Sequence, residues 1–290
     1  MRIEVSVADL HAEIDAVSPT WRSRAAGWTA DLAADASSEV KSRWSEIKPA
    51  YEKIQGSKCA YCEQPLEAGA AIVFDVEHFR PKNAVTRYRT NASLRSEGVS
   101  PVQPASGKEP GYRLLAYEPL NYVLACKQCN SSKKGNKFPI AGVRNSAATD
   151  VTVLAGERPL LIYPLGEVDD RPEDLIRFEG LSPQPTAASG HDRHRALVTM
   201  HVFSLDDTRR KGLFLSRADV ISKTFFVLAA LEDPSSPAHP DAPAALRRLE
   251  HRRSAHANCV RCFVALWRTD RAAAVAIKDA VHALLDSHGL

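Results

Sequence analysis

No apolar run in this 290-residue chain approaches the roughly 18 residues that a membrane-spanning helix needs, so no membrane role is read. The N-terminal MRIEVSVADLHAEID mixes charges through its first turns and offers no apolar signal segment. The chain therefore reads as cytoplasmic. No cysteine stands outside a CxxC pair: the six fall at Cys59/Cys62, Cys126/Cys129 and Cys259/Cys262. In a reducing compartment this spacing favours metal over a disulfide framework. No internal repeat is found, which sets aside a repeat array. Net charge is small, +3, so overall basicity is modest.

What is present is a globular composition, 44% hydrophobic and 25% charged, able to bury a core. The small net charge hides one basic segment. His78 to Ile140 holds eleven Lys or Arg against three Glu, a net +8, and the rest of the chain sums to −5. That segment coincides with the cysteines and points to a polyanionic partner.

The pattern predicts a helical N-terminal region over residues 1–56. Residues 19–34 read as a helix with Trp21 and Trp28 as core anchors. Residues 36–56 read as one helix striped by Val40, Trp44, Ile47, Tyr51 and Ile54, kinked at Pro49 and stopped at Gly56. CAYCEQPL reads as a tight turn holding two thiolates, and AIVFDVEHF as a strand. Residues 87–110, rich in Ser, Pro and Gly, read as a flexible insertion. NYVLAC reads as a strand entering the second cysteine turn, and a short helix is predicted from an N-cap near Asn130. Residues 141–205 read as irregular with short strands. From 206 to 290 the chain reads helical, with Phe214, Ala218, Ile221, Phe225 and Leu228 as a stripe, a break at EDPSSPAHPDAP, and a last helix carrying Val275, Val281, Leu284 and Leu285.

Two cysteines cannot close a tetrahedral site, but Cys59-x2-Cys62 and Cys126-x2-Cys129 together supply four sulfurs in two turns. That matches a closed structural zinc site. Cys259 and Cys262 lie in HANCVRCFVALW, which reads as helix. His256 shares their face, so a second metal site and a pair of buried core cysteines are both compatible with the spacing.

Inside the cysteine frame (57–140) stands VEHFRPK, then Asn121 and Asn130, the latter directly after Cys129. CxxC, an acidic-His pair, then Asn-x4-CxxCN followed by lysines, resembles as a set the HNH endonuclease family. The resemblance implies an α+β, mainly α chain with a ββα-metal HNH core. It also implies His78 as general base, Glu77 and Asn130 as ligands of a catalytic Mg²⁺ or Mn²⁺, and Asn121 as the residue that fixes the histidine loop. Many family members carry Asp where this chain has Glu77. Arg80, Lys82, Lys133, Lys134 and Lys137 are candidates for contacts to the phosphates of nucleic acid, DNA first.

A wider likeness runs over about residues 40–215 through CAYCE, VEHFRPK, LAYEPLNYVLACKQCNSSKKGNKFP and LLIYPLGEVDDRPEDLIRFE. It resembles the HNH components of bacterial anti-phage systems of the Septu and retron-associated types, which implies a partner ATPase of the ABC/SMC-like class. Two other readings use the same residues. One is a non-catalytic zinc-ribbon nucleic-acid-binding module, which needs the cysteines and lysines but not Glu77, His78 or the asparagines. The other is a scaffold for an ATPase partner.

Overall fold

Ser6 starts the first helix: its Oγ accepts from the Asp9 N–H at 2.9 Å, satisfying one free donor at the entrance of α1 (Val7–Val17). In the computed structural model, which describes residues 3–66, 74–104 and 106–289, α2 (Trp21–Ala34) follows as predicted. Trp21 is buried and the half-buried Trp28 meets it edge-on at 6.0 Å.

The predicted helix over 36–56 is shorter. Only a 3₁₀ turn (Trp44–Ile47) and α3 (Lys48–Gln55) form. The backbone before them is claimed by tertiary partners: Lys41 N–H donates to Tyr117 Oη at 2.9 Å, and Trp21 Nε1 donates to the Arg43 carbonyl at 2.9 Å. Pro49 makes no kink. It sits in the first turn of α3, where a missing N–H costs nothing. Gly56 ends α3 at φ +65°, and a Cβ there would meet the Arg253 carbonyl oxygen at 2.6 Å.

Strand β1 (Phe74–His78) pairs antiparallel with β4 (Tyr122–Cys126), with Glu77 opposite Val123 and His78 opposite Tyr122. The predicted strand began at 71, and residues 71–73 lie outside the described residues. Between β1 and β4 the segment expected as a flexible insertion carries structure of its own. β2 (Val85–Thr86) pairs with β3 (Lys108–Glu109), and Asn91 caps α4 (Ala92–Ser96). Leu94 and Val99 are buried, and Glu97 makes a two-pronged ion pair with Arg193, both bonds 2.7 Å. A Ser/Pro/Gly-rich composition did not reveal these few apolar anchors.

The helix after β4 is a π-helical turn over Gln128–Lys134, so it begins two residues before Asn130, inside the cysteine turn, and Asn130 is not its cap. The region 141–205, read as irregular, holds a 3₁₀ turn (Val151–Glu157), α5 (Pro172–Leu175), a hairpin of β5 (Ile176–Glu179) and β6 (Ser182–Pro185), and the 14-residue α6 (Gly190–Phe203). The helical C-terminal third is as predicted: α7 (Lys211–Glu232), α8 (Ala242–Glu250), α9 (Ala257–Thr269) and α10 (Arg271–Asp286). No helix of the described residues is long and apolar enough to cross a membrane.

The chain is mainly helical, and its buried residues form two cores. One gathers the elements from Ile3 to Leu213, including both cysteine turns and β1–β4; the other lies within α7–α10, and Phe178 of β5 packs against both.

Candidate metal centre and adjoining cleft

The two CxxC turns meet. Cys59 N–H donates to Gln64 O at 2.9 Å and Ala60 N–H to Leu124 O at 2.9 Å, which fastens the first turn to β4. Cys126 ends β4 and Cys129 lies in the π-helical turn. The four sulfurs of Cys59, Cys62, Cys126 and Cys129 all lie within 4.8 Å of one another, and Cys62 Sγ stands 3.9 Å from Cys126 Sγ. A zinc–sulfur bond of about 2.3 Å sets tetrahedral S···S edges near 3.8 Å, whereas a disulfide needs about 2.05 Å. All six cysteines are free, and the spacing of these four fits a tetrahedral metal ion.

The four thiols perturb one another's acidity in opposite directions. Burial pushes the Cys59 thiol well up, while hydrogen bonds from the Cys129, Cys59 and Cys62 thiols pull Cys126 far down. Four sulfurs this close share protons unless a cation replaces them.

The third CxxC pair builds no such centre among the described residues. Cys259 Sγ donates to Gly180 O at 3.3 Å, Cys262 Sγ accepts from the Phe178 N–H at 3.4 Å, and His256 Nε2 pairs with Ser216 Oγ at 2.9 Å. These are cysteines of the helical core.

Beside the metal centre a cleft of about 440 Å³ opens between β1, the π-helical turn and the Trp44 turn. Its walls include Glu77, His78 and Asn130, three of the residues singled out in the sequence. Strand alternation puts Asp75 on the same face as Glu77, and Asp75, Trp44 and Asn136 line the cleft too. None of the three stands out in the sequence as a site residue. Period-two alternation along FDVEH points to Asp75; Trp44 reads there as one residue of an apolar helix stripe.

His78 is buried, clasped edge-on by Trp44 at 4.6 Å and Tyr122 at 5.0 Å. Its Nε2 lies 3.1 Å from the Ala116 carbonyl oxygen. A carbonyl can only accept, so the neutral ring carries its proton on Nε2 and leaves a lone pair on Nδ1. Burial, then the charge of Lys82, lowers the His78 pKa to about 3. The ring is thus neutral at neutral pH.

Asn121 stands behind the cleft, fully buried. Its Oδ1 accepts from the Arg80 N–H at 2.8 Å, and its Nδ2 donates to the carbonyls of Arg80 at 3.0 Å and Leu115 at 3.2 Å. It therefore clamps the chain just after His78 to the turn that carries the Ala116 neighbour of the ring.

Two of the five basic residues expected at phosphates are not at the surface. Lys134 is fully buried and donates to Glu77 Oε1 at 2.5 Å and to the His78 carbonyl at 3.0 Å. Arg80 is buried against Glu157, Nε to Oε2 at 3.2 Å. The other three are half-exposed. Lys82 lines the cleft with its ammonium 4.5 Å over the Trp44 ring, and Lys137 donates to the Lys133 carbonyl at 2.6 Å. Burial raises the Glu77 pKa, opposed by the charge of Lys134. Burial lowers that of Lys82, opposed by the charge of Glu77.

Over 167 residues the chain is 31% identical to the Septu protein PtuB of Bacillus mycoides (strain KBAB4). The alignment covers 57% of this chain and 50% of that protein, so the chain spans about half the length of the curated relative it matches. No family model and no solved structure matches.

Proposed function

We propose that the chain is a metal-dependent endonuclease of the HNH type, hydrolysing phosphodiester bonds of nucleic acid, DNA first. The observation that carries this reading is that Glu77, His78 and Asn130 line one cleft while Asn121 fixes the loop behind the histidine. A neutral imidazole with a free Nδ1 can take a proton from an attacking water. The ring is held in that state by its burial and its Ala116 hydrogen bond. Lys82, half-buried at the cleft wall with its ammonium over the Trp44 ring, offers the positive charge that a phosphate oxygen needs.

Glu77 and the Asn130 amide are hard oxygen donors that suit Mg²⁺ or Mn²⁺ and leave room for water and phosphate. Such an ion supplies charge neutralisation at the phosphate and at the leaving oxygen. The two nearby ammoniums of Lys134 and Lys82 oppose a cation, so it is held weakly. Zinc in the four-cysteine centre has no open position and serves structure. The likeness to a Septu protein supports a place in anti-phage defence, beside an ABC/SMC-like ATPase as the wider sequence resemblance implies.

Plasmid DNA incubated with the protein and Mg²⁺ or Mn²⁺ tests the reading. Nicking should appear with the divalent ion, and His78→Ala should lower its rate by about 10²–10⁴-fold with folding and zinc content intact. A His78→Ala protein that cleaves at the wild-type rate would refute the assignment.

A further inference from the structure

The four-cysteine centre has a charge problem that its own turns do not solve. Four thiolates around one dication leave two negative charges, in a place where Cys59, Cys62 and Cys129 are buried. Backbone donors supply two neutral hydrogen bonds, Cys126 N–H to Cys59 Sγ at 3.4 Å and Cys129 N–H to Cys126 Sγ at 3.5 Å, and bring no positive charge. One side-chain cation hydrogen-bonds a sulfur of the centre among the described residues. Arg210, itself 6% exposed, aims Nη2 at Cys129 Sγ from 3.8 Å and at Gln128 Oε1 from 3.1 Å, and Nη1 at the Phe203 carbonyl from 2.6 Å.

Arg210 immediately precedes α7, so the cation on the sulfur also stands at the start of the C-terminal helices. The opposite side of the first cysteine turn grips the same helices. Lys58, buried next to Cys59, donates to the carbonyls of Arg252 at 2.6 Å and Ser254 at 3.2 Å, in the turn between α8 and α9. Tyr61, between the two cysteines, stacks on Phe203 at 3.9 Å. The cysteine turns thus contact the C-terminal helices at two places, the start of α7 through Arg210 and the α8–α9 turn through Lys58.

We propose that the four-cysteine centre is the joint that docks the C-terminal helices: Arg210 compensates the metal–thiolate charge, and metal loading thereby fixes the start of α7 and the α8–α9 turn against β4. When the metal leaves, nothing ties the two cysteine turns together at the sulfurs, so the Cys129 Sγ acceptor that Arg210 holds at 3.8 Å is no longer fixed, which favours release of the α7 end. Linkage makes the effect reciprocal, so a docked α7 must also tighten the metal.

The experiment uses the full chain loaded with zinc. Zinc loss to a colorimetric chelator is timed for wild type, Arg210→Met and Arg210→Lys, and amide hydrogen exchange is followed with and without zinc. Arg210→Met should release zinc about 10–100-fold faster, the range found when outer partners of metal ligands are removed. Arg210→Lys should fall between, because a lysine restores charge but not the two-pronged donor geometry. In wild type, zinc removal should speed exchange in the first turns of α7 and α9; this arm needs no variant to fold. Wild-type zinc retention by Arg210→Met would overturn the proposal. So would exchange that rises on zinc removal only in the two cysteine turns, since the metal would then hold nothing beyond them.

Discussion

Lys134 sets its ammonium 2.5 Å from Glu77 Oε1 and 3.0 Å from the His78 carbonyl oxygen, and both the lysine and the glutamate are buried. One lysine from the π-helical turn thus spans to both residues of the acidic-His pair on β1. It commits one of the two Glu77 oxygens to an internal ion pair. It also cancels the formal charge that made Glu77 attractive as a ligand. A basic residue that looked like a phosphate contact is instead part of the internal frame of the cleft.

Breaking that pair from one side leaves a buried charge alone. Lys134→Met and Glu77→Gln are each expected to cost about 3–5 kcal/mol, and the double variant clearly less than the sum. Urea denaturation of the four proteins gives the coupling. Strictly additive losses would show that the pair is not energetically linked.

The two asparagines of the motif should separate cleanly. Asn121 makes three hydrogen bonds to backbone groups in the interior, so Asn121→Ala should lose roughly 2–4 kcal/mol of stability. Asn130 is half-buried at the cleft wall, and its side chain makes no hydrogen bond with another described residue. Asn130→Ala should change stability by about 0.5 kcal/mol or less and instead raise the Mg²⁺ concentration needed for half-maximal cleavage. Equal stability losses in the two variants, or an unaltered metal requirement in Asn130→Ala, would contradict this division.

Zinc and the weakly held ion are expected to part under chelation. Elemental analysis should find about one zinc per chain, and Cys126→Ser should lose both that zinc and thermal stability. Brief EDTA treatment should abolish cleavage, and Mg²⁺ alone should restore it while the zinc content stays constant. Activity that returns only with zinc would place the working ion in the cysteine site.

The sequence-legible parts of this molecule were those written in local spacing. Each CxxC turn, the strands beside them, the Glu77-His78 pair and the run from Asn121 to Asn130 are patterns of neighbours within about ten residues. Local spacing does not say which charges are paired: nothing in KKGNK distinguishes the buried Lys134 from the half-exposed Lys133 and Lys137. Helix α6 escaped for a related reason. Arg195, Ala196, Val198, Thr199, Met200, Val202 and Phe203 are all buried, so the helix is covered on most sides and shows no apolar stripe against a polar one. The apparent stripe from Val40 to Ile54 failed in the opposite way. Its periodicity was real, but the backbone of Lys41 and Arg43 answers to Tyr117 and Trp21, partners that lie far away in sequence.

Two buried histidines predict the direction of acid sensitivity. Burial is the leading cause in both: His78 is lowered to about 3 and His256 to about 4, from an ordinary 6.5. Between those values and 6.5 the unfolded chain binds more protons than the folded one. Stability therefore rises with pH across that window, and is lost progressively as pH falls below 6.5. At pH 5 each ring contributes a loss of roughly 2 kcal/mol. Glu77, raised by burial, acts with the opposite sign, because its folded form keeps a proton that the unfolded form gives up. Acid also strips zinc from thiolates, so the histidine effect must be read as a difference between proteins at equal zinc loading. His256→Asn suits this, since His256 sits at φ +51° and asparagine tolerates that left-handed backbone. The wild-type melting temperature should fall between pH 7 and pH 5 by a few degrees more than that of the variant. Parallel curves would mean that His256 takes up its proton in the folded chain as readily as in the unfolded one.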